Sequence, residues 1–214
     1  MPEIILTTVY QFPELSDAAK EKARSWYREL GPHDDWWDAV YEDFERVCEI
    51  LGIRLKTTPV RLMGSGTRQK PCIWFSGFWS QGDGAAYECY WSHSRGAAAS
   101  IRDYAPTDAT LHDIADRLQA IQRRNFYQLA AEASHRGRYY HEYTMSVDVT
   151  RYSSTWQSPT EDAEETVTEA LRDLARWLYR QLQAEYDHVT SDEAIEEGII
   201  VNDYTFTEGG RRFG

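Results

Sequence analysis

Apolar side chains recur every three or four residues in several stretches of the chain, which is the spacing of one face of an α-helix. This spacing predicts a helix from an N-cap at Ser16 to about Leu30, and a second helix from Asp34 or Asp35 to Leu51. Similar spacing, together with capping boxes at Ser158–Glu161 and Thr190–Glu193, predicts further helices over these ranges: 97–104, 108–124, 159 to about 186, and a short one through Ile199.

Short runs rich in β-branched and aromatic residues predict strands instead. Such runs cover Ile4–Phe12, residues 53–62, the stretch RYYHEYTMSVDVT, and an edge strand at Tyr204–Phe206. Residues 125–135 are ambiguous, because their alanines favour helix, whereas the turn at Arg136-Gly137 before a strand favours a hairpin. We choose the hairpin, with residues 127–135 as one arm.

The stretch Cys72–Trp91 is the predicted centre of the core. Two aromatic-rich runs flank Ser80-Gln81-Gly82-Asp83-Gly84, and a Gly-Asp-Gly tip favours a tight reversal, so the stretch predicts a β-hairpin. Each aromatic ring buries roughly 150–250 Å² when covered. The rings expected to form this core are Trp74, Phe75, Phe78, Trp79, Tyr87, Tyr90 and Trp91.

Helices and hairpin-forming strands follow one another in mixed order, which indicates an α+β fold, with an antiparallel sheet of hairpins and helices packed mainly on one face. The 214 residues suit a single domain over 1–214, and a chain of this length buries a core without metal or disulfide staples. Residues 208–214, which contain Gly209-Gly210, are expected to form a flexible tail.

Charge is distributed unevenly along the chain, and its formal net value is −12. Residues 33–50 carry a net charge of −6 and residues 159–198 carry −9, whereas residues 52–158 carry +4. The overall excess of acid argues against direct binding to DNA or RNA, because nucleic-acid binding needs a basic surface. Acid is therefore concentrated on two predicted helical segments.

The acidic segments supply the first candidate site. Their carboxylates are interpreted either as a solvated helix face or as rows that bind a basic surface of a protein partner. Like charges four residues apart on a helix repel one another, so the row on the second helix costs some stability. The residues proposed to bind the partner are Asp35, Asp38, Glu42, Glu45, Glu49, Glu161, Glu164 and Glu165.

Signals of catalysis and metal binding are weak. The six histidines lack ligand spacing such as H-E-x-x-H, and His141 and Glu142, on a predicted strand, are expected to point to opposite faces. Gly64-Ser65-Gly66 lacks the spacing of a phosphate-binding loop. We therefore expect no catalytic residue, metal or cofactor, and the second candidate site is a ligand loop formed by Trp79, Gln81 and Asp83, although Asp is also a common turn former.

The expected location is the cytoplasm. Three scattered cysteines, Cys48, Cys72 and Cys89, do not form a disulfide framework and are expected to be buried and reduced. The first residues lack the basic and apolar regions of a signal peptide, and no stretch of about 18 apolar residues spans a membrane.

Four segments together resemble a family of bacteriophage and prophage proteins: YQFPELSDAAKEKARSWYRE, WFSGFWSQGDGA, RRNFYQLAAEASHRGRYYHEYTMSVDV and EDAEETVTEALRDLARWLYRQL. FSGFWSQGDGA is the most specific of these motifs. Some members carry the label "antitoxin of toxin–antitoxin stability system". The resemblance implies a phage or mobile-element setting and assigns no catalytic residue. The family has larger β-formers where this chain has Ala130-Ala131-Glu132-Ala133, which favours a strand there.

Three functions are compatible with these observations. The first is a phage-encoded, non-enzymatic protein that binds and neutralises a host or rival protein, as an antitoxin-like or anti-defence inhibitor that presents acidic helices to a basic groove. The second is an enzyme or small-ligand binder that uses the Trp79–Gly84 loop. The third is a structural or assembly factor of the phage particle. We expect the first, and the sequence leaves the oligomeric state open.

Overall fold

The computed structural model describes residues 7–32 and 35–214. The α-helices within them are α1 (Asp17–Glu29), α2 (Asp38–Leu51), α3 (Ala97–Tyr104), α4 (Ala109–Arg124), α5 (Ala163–Val189) and α6 (Asp192–Val201). The strands are β1 (Tyr10–Gln11), β2 (Ile53–Leu55), β3 (Thr57–Arg61), β4 (Thr67–Pro71), β5 (Ile73–Phe75), β6 (Ala85–Tyr87), β7 (Cys89–Ser92), β8 (Leu129–His135), β9 (Met145–Arg151), β10 (Thr205–Phe206) and β11 (Arg212–Phe213). Small antiparallel sheets among six helices confirm the α+β class.

The chain divides into two compact units. A terminal unit combines Met1–Asp38 with Gln183–Gly214, and a central unit comprises Ala39–Leu182. Helix α5 passes through the boundary between Leu182 and Gln183. A single domain over 1–214 remains a prediction.

The terminal unit is built around a small apolar core. Helices α1 and α6 supply most of its buried residues, and β10 pairs with both β1 and β11 in an antiparallel sheet. The guanidinium of Arg24 contacts Glu196 on α6 at 2.6 Å and so ties the two helices together. The buried residues of this core are Phe12, Leu15, Ala19, Ala23, Ile195, Ile199 and Phe206.

The central unit is organised around a four-stranded antiparallel sheet of order β2-β7-β8-β9. Alternate residues point to opposite faces of a strand. On β7, Cys89 and Trp91 are buried whereas Tyr90 and Ser92 are exposed; on β8, Ala131 is buried and Glu132 is exposed. One face of this sheet is therefore covered and the other is open.

Aromatic residues and helix α5 form the core beneath the covered face. Tyr87 is fully buried, its ring packs against Phe44 of α2 at 5.2 Å, and its hydroxyl donates to the carbonyl of Leu171 at 2.9 Å. Burial strongly raises the pKa of the Tyr87 phenol. The indole N–H of Trp91 donates to the carbonyl of Leu51 at 3.2 Å, at the end of α2. Tyr87 thus joins the β5-β6 pair to α2 and α5, and Trp91 joins the four-stranded sheet to α2.

The close approach of α2 to β7 depends on Gly52. Its φ is +77°, and a Cβ atom at this position would lie 2.4 Å from the carbonyl oxygen of Ser92. The amide of Ser92 donates to the carbonyl of Gly52 at 3.1 Å, so the two backbones are held together at this point. Only glycine adopts this φ without strain and leaves room for the neighbouring backbone.

The central Cys72–Trp91 stretch is only partly the single hairpin that the sequence predicts. β5 and β6 do pair, with Ile73 opposite Tyr87. After Glu88 the chain changes partner, and β7 pairs with β2 and β8 instead. Tyr87 and Trp91 lie in the core, but Trp79 is 77% exposed, so this ring does not contribute to the core as expected.

Two helix starts differ from the predicted capping boxes. Helix α5 begins at Ala163, and Pro159 is not its first residue, because the amide and hydroxyl of Thr160 bond the side chain of Asn125. The cap of α6 is Ser191, whose hydroxyl accepts from the amide of Ala194, one residue after the predicted cap. The N-cap at Ser16 and the extents of α3 and α4 are confirmed.

Several strand boundaries also differ. The predicted strand in RYYHEYTMSVDVT begins only at Met145, after a 3₁₀ turn over Glu142–Thr144. The predicted edge strand at Tyr204–Phe206 is the middle strand of its sheet, and residues 208–214, expected to be a flexible tail, include β11. Ile4–Leu6 of the first predicted strand lie outside the described residues, as does Asp34. The hairpin arm predicted over 127–135 is confirmed as a strand over Leu129–His135, which pairs with β9.

A candidate partner-binding groove

The open face of the central sheet forms the floor of a groove of about 970 Å³. One residue from each strand contributes to a cross-strand row, in which Arg54 pairs with Tyr90, Tyr90 with Glu132, and Glu132 with Asp148. Directly opposed residues on one face lie close enough for their side chains to interact. We call this space, with the walls described below, the open-face groove.

Tyr90 occupies the middle of this floor and is 42% exposed. The guanidinium of Arg54 lies 5.3 Å from its ring centroid, and the ammonium of Lys56 lies 5.0 Å from it. Lys56 also donates to the carboxylate of Glu132 at 2.7 Å. Cation–π contacts of this kind each contribute about 0.5–1 kcal/mol at exposed sites. They hold an accessible aromatic ring between charged groups of both signs.

Helix α2 and the hairpin of β3 and β4 form the walls of the groove. Glu45 and Glu49 line it from α2, and Arg68 and Gln69 line it from the hairpin. The α2 carboxylates project on the exposed side because Tyr41, Phe44 and the other apolar residues of α2 occupy its buried side.

The electrostatics of α2 are dominated by its own carboxylates. Partial burial raises the pKa of Glu45. The negative charges of Glu49 and Glu42 raise this pKa further, and the positive charge of Arg68 lowers it by less. Glu49 pairs with Arg46 at 2.9 Å, but within the described residues neither Glu42 nor Glu45 forms an ion pair. The row therefore carries negative charge that the fold does not neutralise.

This repulsion predicts that neutralising the row will stabilise the protein. Because the pKa of Glu45 is raised in the folded state, protonation of this carboxyl favours folding below pH 4.5. This stabilisation is lost as the pH rises through the folded-state pKa. The double variant Glu42→Gln/Glu45→Gln is expected to unfold at pH 7 with a free energy about 0.5–1 kcal/mol higher than the wild type, since it removes like-charge pairs on one helix. Urea denaturation at pH 7 and at pH 4 measures this gain, which is expected to be smaller at pH 4, because the raised pKa of Glu45 favours its neutral form there.

Glu164→Gln/Glu165→Gln is the matched control, because these two residues lie in the first turn of α5, where the helix dipole favours a negative charge. The control is expected to be equally or less stable than the wild type. A destabilised Glu42→Gln/Glu45→Gln variant would show that these carboxylates make favourable contacts and would contradict the prediction.

The remaining acidic residues of the predicted site lie elsewhere. Asp35 is exposed in a turn before α2, and Asp38 is the exposed first residue of that helix. Glu161, Glu164 and Glu165 are exposed at the start of α5 and do not line the groove. Within the portion of the chain that is described, no hydrogen bond or ion pair joins these three to α2. The groove thus includes only part of the predicted acidic set.

In the predicted ligand loop, the carboxylate of Asp83 bonds the backbone of the loop itself. One carboxylate oxygen of Asp83 accepts from the amides of Trp79 at 3.1 Å and Ser80 at 2.7 Å. The carbonyl of Gly77 accepts from the hydroxyl of Tyr179 on α5 at 2.8 Å, which anchors the loop to the helix. Gln81 is exposed. These contacts favour the turn-forming interpretation of Asp83.

His141 and Glu142 do not point apart as a strand would require, because they precede β9. The Nδ1 atom of His141 lies 3.0 Å from the carboxylate of Glu142, and Nε of Arg176 donates to the same carboxylate at 2.8 Å. Glu142 is 8% exposed, and Arg176 also bonds Asp173 one turn earlier on α5. This ion network attaches the segment before β9 to α5, which is a structural role.

The three thiols are closed to solvent, as expected. Cys48, Cys72 and Cys89 are all buried. Burial raises the pKa of each thiol, and that of Cys89 reaches about 12. A nucleophilic cysteine needs a lowered pKa, so these thiols are structural. In residues 7–32 and 35–214, no group of three His, Cys, Asp or Glu is arranged to hold a metal ion.

Sequence reasoning missed the floor of the groove. The sequence predicts Tyr90 in the core and does not single out Arg54, Arg68 or Asp148. One signal was present, since residues 53–82 contain five basic residues and no acidic one. The acidity of the whole chain obscured this local excess of positive charge.

The chain matches the family described as Domain of unknown function (DUF8835) over residues 36–192. This match covers more than half of the chain, and the chain belongs to that family. The matched range contains the whole central unit and therefore the open-face groove. Comparison with curated proteins and with solved structures gives no match. No helix of the described residues is long and apolar enough to cross a membrane.

Proposed function

We propose that this DUF8835 protein is an acidic, non-enzymatic inhibitor that binds and neutralises a host or rival protein, and that the partner places a basic surface against α2. The observation that carries the proposal is the row Glu42, Glu45 and Glu49 on α2. Within the described residues neither Glu42 nor Glu45 forms an ion pair, Arg68 offsets the charge of Glu45 only in part, and Glu45 and Glu49 line the open groove. The phage setting follows from the family resemblance, and the proposed place of action is the cytoplasm of the host cell.

Seven carboxylates elsewhere in the central unit, unlike Glu42 and Glu45, are paired with cations of the same fold. Asp162, for example, bonds Arg124 through two hydrogen bonds of 2.6 and 2.9 Å. Other paired examples are Asp113, Asp116, Glu132, Glu142, Glu169 and Asp173. A cationic partner would lower the mutual repulsion of Glu42, Glu45 and Glu49. The repulsion that destabilises the free protein would therefore favour binding of the partner.

The groove beside the row provides the remaining recognition chemistry. Its volume of about 970 Å³ is near the upper end of typical binding pockets. The exposed ring of Tyr90 offers an apolar contact, and aromatic residues are enriched where proteins bind one another. Asp148 adds an exposed carboxylate on the floor. A basic side chain from the partner would therefore contact acid on the wall and on the floor.

The test compares capture of host proteins by variants of the immobilised protein. Wild type, Glu42→Gln/Glu45→Gln and the control Glu164→Gln/Glu165→Gln are incubated with host lysate at 50 mM and 300 mM NaCl, and retained proteins are quantified by mass spectrometry. We expect wild type and control to retain the same partner at low salt. We expect the α2 variant to retain at least tenfold less of this partner than the wild type does, because two charge contacts are removed at once.

The proposal requires that capture depends on α2 and on salt. Equal retention by both double variants would place the partner elsewhere on the surface. Absence of any retained protein at either salt concentration would also overturn the proposal. Because the α2 variant is expected to be more stable than wild type, a loss of capture cannot be attributed to unfolding.

A further inference from the structure

The hairpin of β3 and β4, which we call the basic ribbon, is exposed on both of its faces. Nine of its ten strand residues are exposed, and only Pro71 is intermediate. Thr57 pairs with Pro71 and Arg61 with Thr67, so the two strands are fully paired with one another. A two-stranded hairpin without a covered face is marginally stable in water. Exposure on both faces leaves the ribbon accessible to a ligand.

The charge of the ribbon identifies the chemistry of that occupant. Residues 53–82 contain Arg54, Lys56, Arg61, Arg68 and Lys70 and no acidic residue. Within the described residues, the side chains of Arg61 and Lys70 make no hydrogen bond or ion pair, and Arg68 acts only electrostatically, on Glu45. Three cations thus project from a ribbon that supplies no counter-charge, and the complementary ligand is a polyanion.

The tip of the ribbon adds an apolar contact. Leu62 is 51% exposed and Met63 is fully exposed. Gly64, Ser65 and Gly66 all have positive φ, between 113° and 134°, and turn the chain immediately after this pair. Proteins that bend DNA insert residues such as Leu and Met between base steps. An acidic protein surface would account for the cations of the ribbon but would not require an apolar tip.

We propose that the basic ribbon binds duplex DNA, with Arg61, Arg68 and Lys70 on phosphates and Leu62-Met63 pressed against a base step. β-Ribbons of DNA-binding proteins enter the major or the minor groove, and apolar wedges such as Leu and Met act from the minor groove. A five-residue strand of about 17 Å reaches across several phosphates. The net charge of −12 belongs to the whole chain, whereas the ribbon itself holds no acidic residue. Of its three cations, Arg68 lies near acid, because Glu45 and Glu49 line the same groove. The proposal uses residues other than the α2 row and does not depend on the proposed inhibitor function.

Binding is tested with a fluorescein-labelled 20-base-pair DNA duplex, by fluorescence anisotropy, on the full chain. Three phosphate contacts predict that affinity falls about 40-fold between 50 mM and 200 mM NaCl, with a slope near −2.7 in log K against log salt. The variant Arg61→Ala/Lys70→Ala is expected to bind at least tenfold more weakly at 50 mM NaCl, and its slope is expected to fall by about 2.

The control variant Arg136→Ala/Arg138→Ala removes the same charge from exposed residues outside the ribbon. It is expected to bind DNA as the wild type does. No binding by the wild type at 50 mM NaCl, or equal losses in the two variants, would overturn the proposal. Thermal unfolding of each variant, followed by circular dichroism, confirms that the fold is intact.

Two further measurements separate DNA from other polyanions. Polyglutamate at equal charge concentration is expected to compete at least tenfold less well than unlabelled duplex; equal competition would assign the ribbon to an acidic protein instead. Leu62→Ser/Met63→Ser is expected to keep the salt slope but to abolish the bend that energy transfer detects between dyes at the two duplex ends. Tighter binding of single-stranded DNA, or an unbent duplex with the wild type, would contradict the proposed geometry.

Discussion

Replacement of Gly52 by alanine is expected to lower the free energy of unfolding by about 3 kcal/mol or more. The new Cβ would lie 2.4 Å from the carbonyl oxygen of Ser92 and 2.9 Å from Cβ of Ser94, and the backbone φ of +77° is unfavourable for alanine. Left-handed backbone costs a non-glycine residue roughly 1–3 kcal/mol, and overpacking costs about as much again. Urea denaturation followed by tryptophan fluorescence measures the loss.

Gly96→Ala separates the two contributions. Gly96 has almost the same φ, +79°, but an added Cβ would meet nothing within 4 Å. Its replacement is expected to cost only about 1 kcal/mol, for the backbone conformation alone. If both variants lose the same free energy, the approach of α2 to β7 is not tight, and the position of the groove wall does not depend on Gly52.

Replacement of Arg176 by methionine is expected to lower the free energy of unfolding by about 3 kcal/mol. The methionine keeps most of the aliphatic volume but leaves the carboxylate of Glu142, whose side chain is 11% exposed, without its main cation. Removal of one partner from a buried ion pair typically costs about 3–5 kcal/mol, because the other charge stays buried. The partial exposure of Arg176, at 28%, places the expected value at the lower end of that range.

Arg124→Met is the control for Arg176→Met. Arg124 pairs with Asp162 at 2.6 Å, but both side chains are largely exposed, at 58% and 41%. Exposed pairs contribute about 0–1 kcal/mol, so this variant is expected to lose no more than that. Equal losses in the two variants would show that Glu142 is hydrated, and that the network around it does not attach the segment before β9 to α5.

The helices were predictable because their signals are local. Ser16 caps α1, and Tyr41, Phe44 and Leu51 occupy one buried face of α2 as their spacing predicts. The strand at 129–135 was also predictable, although alanine favours helix. Ala131 and Ala133 are buried on the covered face of the sheet, where tertiary packing decides between strand and helix.

Errors occurred where a distant residue competes with a local signal. The sequence Ser158-Pro159-Thr160-Glu161 has the pattern of a helix start, but the side chain of Asn125, 35 residues earlier, bonds the amide and hydroxyl of Thr160. The groove was unpredictable for a similar reason. Tyr90 and Trp91 are adjacent aromatic residues, and only the pairing of β7 with β2 and β8 shows that Trp91 is buried while Tyr90 is open.

Because Cys48, Cys72 and Cys89 are buried, their chemical modification can be used to measure how often the central unit opens. An alkylating reagent reaches these sulfurs only after the central unit loosens, so the rate of modification counts opening events rather than the intrinsic reactivity of thiols. The three thiols are expected to stay unmodified during purification without reductant for the same reason. A dye attached through an introduced surface cysteine would therefore label one chosen position, and the three native cysteines would not react with it.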